Sequence, residues 1–193
     1  MRHLVIYTHP NPKSFNHAIL ETFVNELKAL RQEVRVRDLY EIDFDPVIRQ
    51  QDYDMIRNGT LPDDIRQEQE YIAWAEILTF IFPIFWVSLP ARLKGYIDRV
   101  FSQGFAFRLG DRSFHGLLDD KRVVLINTTG TPREVYDKSG MLASMNQAIE
   151  GGIFRYCGME VINHTYFTAV PSSNDNQRQD ILMEVRSLAG TIS

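Results

Sequence analysis

The feature that most restricts how this chain can fold is an uninterrupted apolar run, Ile77-Leu78-Thr79-Phe80-Ile81-Phe82, closed by Pro83. It is far too short to span a bilayer, which takes about 20 residues. A run without polar alternation suits a strand covered on both faces, the condition of a parallel sheet's interior. Pro83 has no N–H for a further ladder bond, so the strand stops and Ile84-Phe85-Trp86-Val87 forms an aromatic loop. Pro90 fits the first turn of a helix, and Leu89, Leu93 and Ile97 then fall on one stripe that packs on the sheet. The loop therefore lies at a strand's carboxyl end, where open α/β sheets bind their ligands. Phe85 and Trp86 there either fill core or form a slot for a flat ligand, and this stretch alone supports both readings equally.

The remaining segments alternate in the same way. Leu4-Val5-Ile6-Tyr7 is a buried strand followed by a loop, His9-Pro10-Asn11-Pro12-Lys13-Ser14-Phe15-Asn16. Ile19, Leu20, Phe23, Leu27 and Leu30 have helical spacing, with Ser14 or Asn16 as N-cap. The unpaired amides of that helix start form an anion site at the sheet's carboxyl edge, although the loop fits neither the P-loop nor the G-x-G-x-x-G pattern. Glu33-Val34-Arg35-Val36-Arg37-Asp38 is a more polar strand suited to a sheet edge. Residues 39–59 show no clean period, a long excursion that suggests function or a subunit contact. Pro62 with Asp63-Asp64 reads as a solvated helix start, with Ile65, Tyr71 and Ile72 on its apolar side.

A fourth strand, Val123-Val124-Leu125-Ile126, runs into Asn127-Thr128-Thr129-Gly130-Thr131-Pro132, either a plain turn or a source of amides and hydroxyls for a polar ligand edge. Met141, Met145, Ile149 and Ile153 give a further helical stripe, then Gly158 and a fifth strand, Glu160-Val161-Ile162-Asn163-His164. The last helix carries Ile181, Leu182, Val185 and Leu188. Alternating strands and helices predict a parallel sheet with right-handed crossovers in one domain spanning residues 1–193.

Several function classes fall away. A single cysteine, Cys157, rules out an internal disulfide and reads as an inert helix end. The start of the chain lacks a signal peptide's pattern, so a cytoplasmic protein without membrane insertion is expected. A net charge of −4 with dispersed Lys and Arg gives no basic stripe for nucleic acid. The five histidines, His3, His9, His17, His115 and His164, show no metal-binding spacing and read as surface or core residues. No G-x-S-x-G elbow exists for a serine hydrolase.

An anion-binding helix start, an aromatic loop and a hydroxyl-rich turn thus share one sheet edge, and a flavin nucleotide fits all three. In Ser14-Phe15-Asn16, Asp38-Leu39-Tyr40 with Phe44-Asp45-Pro46, Phe82-Pro83 with Trp86 and Pro90, Leu93-Lys94-Gly95, Arg99-Val100-Phe101, Gly104-Phe105-Ala106-Phe107 and Thr128-Thr129-Gly130, the chain resembles the flavodoxin-like NAD(P)H:quinone oxidoreductase family. The resemblance implies a flavodoxin-like three-layer sandwich with a five-stranded parallel sheet in the order 2-1-3-4-5. It implies two-electron hydride transfer from NAD(P)H through bound flavin to a quinone by a ping-pong scheme. FMN is the expected cofactor and FAD the alternative. His9, Ser14, Phe15 and Asn16 are implied at the flavin phosphate, Pro83, Ile84, Phe85 and Trp86 along the ring, and Thr128, Thr129, Gly130 and Thr131 at its polar edge. Tyr136 matches a tyrosine that hydrogen-bonds the reduced flavin, or is an exposed loop residue; the histidine that some members place a few residues later has no counterpart, since residues 139–143 fill that region differently. Phe105 and Phe107 match the wall over which nicotinamide and quinone alternate, or are core. The resemblance further implies a homodimer with its sites at the subunit boundary, for which Tyr40, Phe44, Ile48, Tyr53 and Met55 supply an apolar patch. The alternatives are an ancillary subunit of a potassium efflux system, with a membrane transporter as partner, and a flavodoxin-type electron carrier.

Overall fold

The computed structural model describes residues 1–110 and 114–193. Five parallel strands form the central sheet: β1 (Arg2–Tyr7), β2 (Glu33–Asp38), β3 (Ile77–Pro83), β6 (Arg122–Thr128) and β7 (Glu160–Phe167), with β4 (Phe107–Leu109) and β5 (Phe114–Gly116) making a separate antiparallel hairpin. The order β2-β1-β3-β6-β7 is the flavodoxin-like 2-1-3-4-5 once the hairpin strands are set aside. Every residue of β3 is buried, because helices cover both of its faces. On β2 the exposed positions mark the sheet's edge.

Two apolar layers result. On one face α1 (Phe15–Ala29) and α7 (Asp175–Ile192) cover Val5, Tyr7, Ile81 and Ile126 with Ile19, Phe23, Leu27 and Val185. On the other, α3 (Asp63–Trp74), α4 (Ala91–Val100) and the segment after β6 cover Leu4, Phe80, Phe82 and Leu125. Leu89, Leu93 and Ile97 all point inward from the start and length of α4, so the helix that follows the aromatic loop is anchored by burial that stabilises it by roughly 1.5–3 kcal/mol per large side chain.

Four features depart from the sequence reading. Residues 39–59 are not irregular throughout: α2 (Gln50–Arg57) forms inside them. Leu39 and Phe44 are buried against their own domain, with Phe44 5.1 Å from the Tyr96 ring, so Phe44 does not belong to a patch that covers a neighbour. Gly95 permits this packing, since a Cβ there would lie 2.1 Å from the Pro46 carbonyl oxygen. Asp64 is not merely solvated: its Oδ2 accepts from Arg99 Nη1 at 2.6 Å, while Arg99 also donates to Asp52 at 3.1 Å and to the Asp45 carbonyl at 2.9 Å. After β6 the chain makes α5 (Arg133–Ser139) and α6 (Met141–Asn146), then widens into a π-helical segment, Gln147–Phe154, and a 3-10 turn, Arg155–Cys157. Periodicity in Met141, Met145, Ile149 and Ile153 could not reveal that widening, which still buries Ile149 and Phe154 in the core.

Candidate functional site

The loops after β1, β3 and β6 meet at the carboxyl edge around a cleft of about 490 Å³. Its lining contains His9, Ser14, Phe15, Asn16, Pro83, Ile84, Phe85, Thr128, Thr129 and Gly130, all expected from sequence, and adds Val170, Pro171 and Arg178. Trp86, Thr131 and Tyr136 lie off this lining.

One end of the cleft is formed by the start of α1. Ser14 caps α1, its Oγ accepting from the His17 amide at 3.2 Å, which leaves the amides of Phe15 and Asn16 in the first turn, ahead of any helical carbonyl. His9 Nδ1 lies 3.0 Å from the Asn11 amide and 3.2 Å from the Asn11 carbonyl, so this nitrogen is held by the loop and Nε2 is the ring nitrogen left to a ligand. Burial lowers the pKa of His9, which favours the neutral ring. Asn16 is buried and donates to Thr128 Oγ1 at 2.7 Å, while its own Oδ1 has no partner among the described residues. Buried polar atoms without partners are rare, and at a cleft wall they mark where a ligand's hydroxyl or phosphate completes the network.

Arg178 adds a cation that periodicity did not reveal. Its guanidinium stands 5.8 Å over the Phe15 ring and is held by Ser173 Oγ at 3.1 Å. Its position in the first turn of α7, where the helix dipole mildly disfavours positive charge, was a weak signal that the sequence reading did not use.

The ring-sized part of the cleft begins at Pro83. Phe85 and Ser88 exchange two backbone hydrogen bonds of 3.0 Å across Trp86 and Val87, whose φ angles are +50° and +56°. This two-residue turn uses the left-handed region without glycine, a strain of the order of 1 kcal/mol or more per residue that clusters at functional sites. It turns Trp86 outward, 97% exposed, so Trp86 does not fill core and takes no part in the cleft wall of its own chain. Phe85 is half exposed, and it does line the cleft. Opposite, Thr128 and Thr129 are buried, and Thr129 Oγ1 donates to the Thr131 carbonyl at 2.9 Å, which fixes the turn. Tyr136 sits on α5, partly buried against the core. Exposed loop placement is thereby replaced by a helix, one short element beyond the polar turn.

A second cavity of about 440 Å³ lies between α2, α4 and the π-helical segment. Ile48, Tyr53, Phe107 and Tyr156 are among its walls, and it shares no lining residue with the first. Phe107 meets Tyr156 edge-on at 5.7 Å, whereas Phe105 packs on the core and lines neither cavity. Cys157 closes the 3-10 turn; burial pushes its thiol up to about 11, which makes it unreactive.

Comparison with known proteins agrees with the architecture. The model of the flavodoxin-like fold matches residues 1–188. An NAD(P)H oxidoreductase of uncharacterised role from Haemophilus influenzae is 35% identical over 187 residues, covering 94% of this chain and 91% of the relative. The ribosyldihydronicotinamide dehydrogenase (quinone) of Rattus norvegicus is 32% identical over 199 residues, covering 93% and 86%. Among solved structures, the NAD(P)H:quinone oxidoreductase of Methanothermobacter marburgensis superimposes with a TM-score of 0.88 at 29% identity, covering 100% of this chain and 99% of that one. With a 2-1-3-4-5 parallel sheet, a cleft at its carboxyl edge and relatives that match from end to end, this chain belongs to the flavodoxin-like family of NAD(P)H and quinone oxidoreductases.

Proposed function

We propose that the protein is a flavin-dependent NAD(P)H:quinone oxidoreductase. The observation that carries this reading is the single cleft in which an anion-binding helix start, an apolar wall and a hydroxyl-rich turn stand in the order that a flavin's phosphate, ring and pyrimidine edge require. The amides of Phe15 and Asn16, Nε2 of His9 and the Arg178 guanidinium would hold the phosphate. Pro83, Ile84 and Phe85 would bound the ring, with Thr128, Thr129, Gly130 and the Thr131 backbone at its polar edge. The bound group would supply hydride acceptance from NAD(P)H and delivery to a flat acceptor that takes the donor's place, a ping-pong sequence. With the Ile84 and Phe85 amides already bonded to the Thr128 and Ser88 carbonyls, the donors left to favour the negative charge that develops at that edge would be the Trp86 and Val87 amides and the Tyr136 hydroxyl. FMN is the first choice and FAD the second.

The reading includes a homodimer. Trp86 projects fully into solvent from an ordered turn, and the aromatic pair Phe107 and Tyr156 lines a cavity away from the cleft of its own chain. A two-fold pair would let the projecting loop of each copy meet the other's cavity, so that Phe107 reaches the ring from across the boundary. Ile48 and Tyr53 remain available for that contact, unlike Phe44.

Purified protein should be yellow, release FMN on denaturation by mass, and give parallel initial-rate lines when a quinone is varied at several NAD(P)H concentrations. A colourless chain that takes up neither flavin overturns the site. A monomer by light scattering with full quinone turnover overturns the shared boundary.

A further inference from the structure

Beside the cleft, under the π-helical segment, runs a chain of polar groups whose hydrogen-bond directions are fixed. The Phe82 carbonyl can only accept, so the 3.2 Å contact from Asn127 is made by its Nδ2 and the Asn127 Oδ1 faces the other way. That oxygen lies 2.8 Å from His164 Nε2, which must therefore carry a hydrogen. The remaining ring nitrogen, Nδ1, lies 2.9 Å from Glu150 Oε1. A bare Nδ1 against an ionised carboxylate would set two lone pairs against each other, so this contact needs one more proton. The second Glu150 oxygen is engaged by Arg155 at 2.8 Å, which favours the ionised carboxylate and places the extra proton on His164.

Other groups complete the surroundings. The Tyr166 ring stacks on His164 at 4.2 Å, and its hydroxyl donates to Asn146 Oδ1 at 3.0 Å. Burial raises the Tyr166 pKa, helped by the charges of Glu150 and Tyr136, so Tyr166 stays neutral. The charged and titratable groups on this cluster are thus Glu150 from the π-helical segment, Arg155 from the 3-10 turn, Tyr166 from β7 and Tyr136 from α5. The His164 side chain is 6% exposed.

We infer that His164 is a positioning residue for the proposed reaction: with Glu150 holding its second proton, it fixes Asn127 and, through Asn127, the Phe82 carbonyl from which the ring-binding loop departs. Residues 83–85 follow directly on that carbonyl, so a loosened Asn127 transmits to the apolar wall of the cleft. Because burial lowers the His164 pKa while Glu150 opposes it, the link is complete in acid and is lost as the pH rises through a midpoint below the ordinary histidine value. On losing the proton from Nδ1 to solvent, imidazole and carboxylate repel and the ring is released. The consequence for turnover rests on the quinone reductase reading; the link itself does not.

The test uses the full chain, free of cofactor and labelled with ¹⁵N, followed by NMR from about pH 5 to about pH 8 across the histidine range. His164→Gln assigns the ring. In the parent, both His164 nitrogens should be protonated at the acid end, and the backbone amides of Ile84 and Phe85 should titrate with it. In Glu150→Gln the amide donates to Nδ1 while its oxygen takes Arg155, so His164 should keep a lone Nε2–H at every pH and the loop amides should stay still. With flavin added, the quinone KM of the parent should rise severalfold with pH at constant kcat, and that of Glu150→Gln should be flat. A bare Nε2 in the parent, or loop amides that ignore the His164 titration, overturns the inference. Correct NMR behaviour without quinone turnover overturns the functional reading and leaves the link standing.

Discussion

Arg99 and Asn16 are both almost fully buried polar residues, yet their surroundings are opposite. Arg99 is enclosed by Asp52, Asp64 and the Asp45 carbonyl, with the Phe44 ring 5.4 Å away, so α2, α3, α4 and the 39–49 segment are joined at one point. A neighbouring set does the same for β2: Arg37 grips Glu68 at 2.5 Å and Tyr96 donates to the same carboxylate at 3.2 Å. Asn16, by contrast, keeps an unpartnered Oδ1 at a cleft wall, close to a turn held in left-handed backbone. A buried charge that is fully paired serves the fold, because its partners are already in the chain. A buried polar atom left open at an accessible wall lowers stability until a ligand arrives, and so points to function.

The largest effect should come from breaking the satisfied side. Arg99→Ala strands Asp52 without its partner and should cost roughly 3–5 kcal/mol, read as a lower urea midpoint with loss of activity that follows unfolding. An unchanged midpoint would remove Arg99 from its structural role. His3 sharpens the contrast, since both of its ring nitrogens are buried and unpartnered among the described residues, yet it lines neither of the two cavities. Burial lowers its pKa from 6.5 to about 4. Between those values the unfolded chain binds a proton that the native one refuses, so this contribution is whole above pH 6.5 and is lost as the pH falls towards about 4. His3→Leu should abolish that acid loss, at most roughly 3 kcal/mol, in melts recorded at stepped pH. An identical pH dependence in the variant would show that His3 ionises freely.

The smallest stability effect, and the cleanest functional one, belongs to the open side. Arg178→Ala should leave the melting temperature of the cofactor-free chain within error, because a partly exposed cation in a helix's first turn contributes little. It should weaken flavin binding by about tenfold to a hundredfold, the value of a charge-assisted phosphate contact, measured by fluorescence titration. An equal loss of stability with unchanged flavin affinity would place Arg178 with Arg99 rather than with Asn16.

Local pattern carried most of the architecture. The apolar run ending at Pro83, the N-cap at Ser14 and the stripe of Leu89, Leu93 and Ile97 are each decided by neighbours within a few residues, so strand, cap and helix were readable one segment at a time. Their alternation then leaves little choice of topology. Three groups escaped that reading. Residues 50–57 form a helix whose buried residue is Asp52, a carboxylate that Arg99 holds from 47 positions away, and no apolar period announces it. His164 reads as an isolated histidine until β6 and the π-helical segment bring Asn127 and Glu150 to its two nitrogens. Tyr136 gained a helix, and among the described residues no hydrogen-bonding partner that would fix its role.

The sequence by itself determined the parallel sheet and the three loops at its carboxyl edge, because hydrophobic burial and capping act over short spans that a linear pattern records, while the strand order rested on the family resemblance as well. Only the tertiary structure decided which polar groups are satisfied. That depends on partners distant in the chain, and it separates Arg99, whose partners join several elements, from Asn16 and Arg178, which line the cleft, and from His164, whose two ring nitrogens meet Asn127 and Glu150.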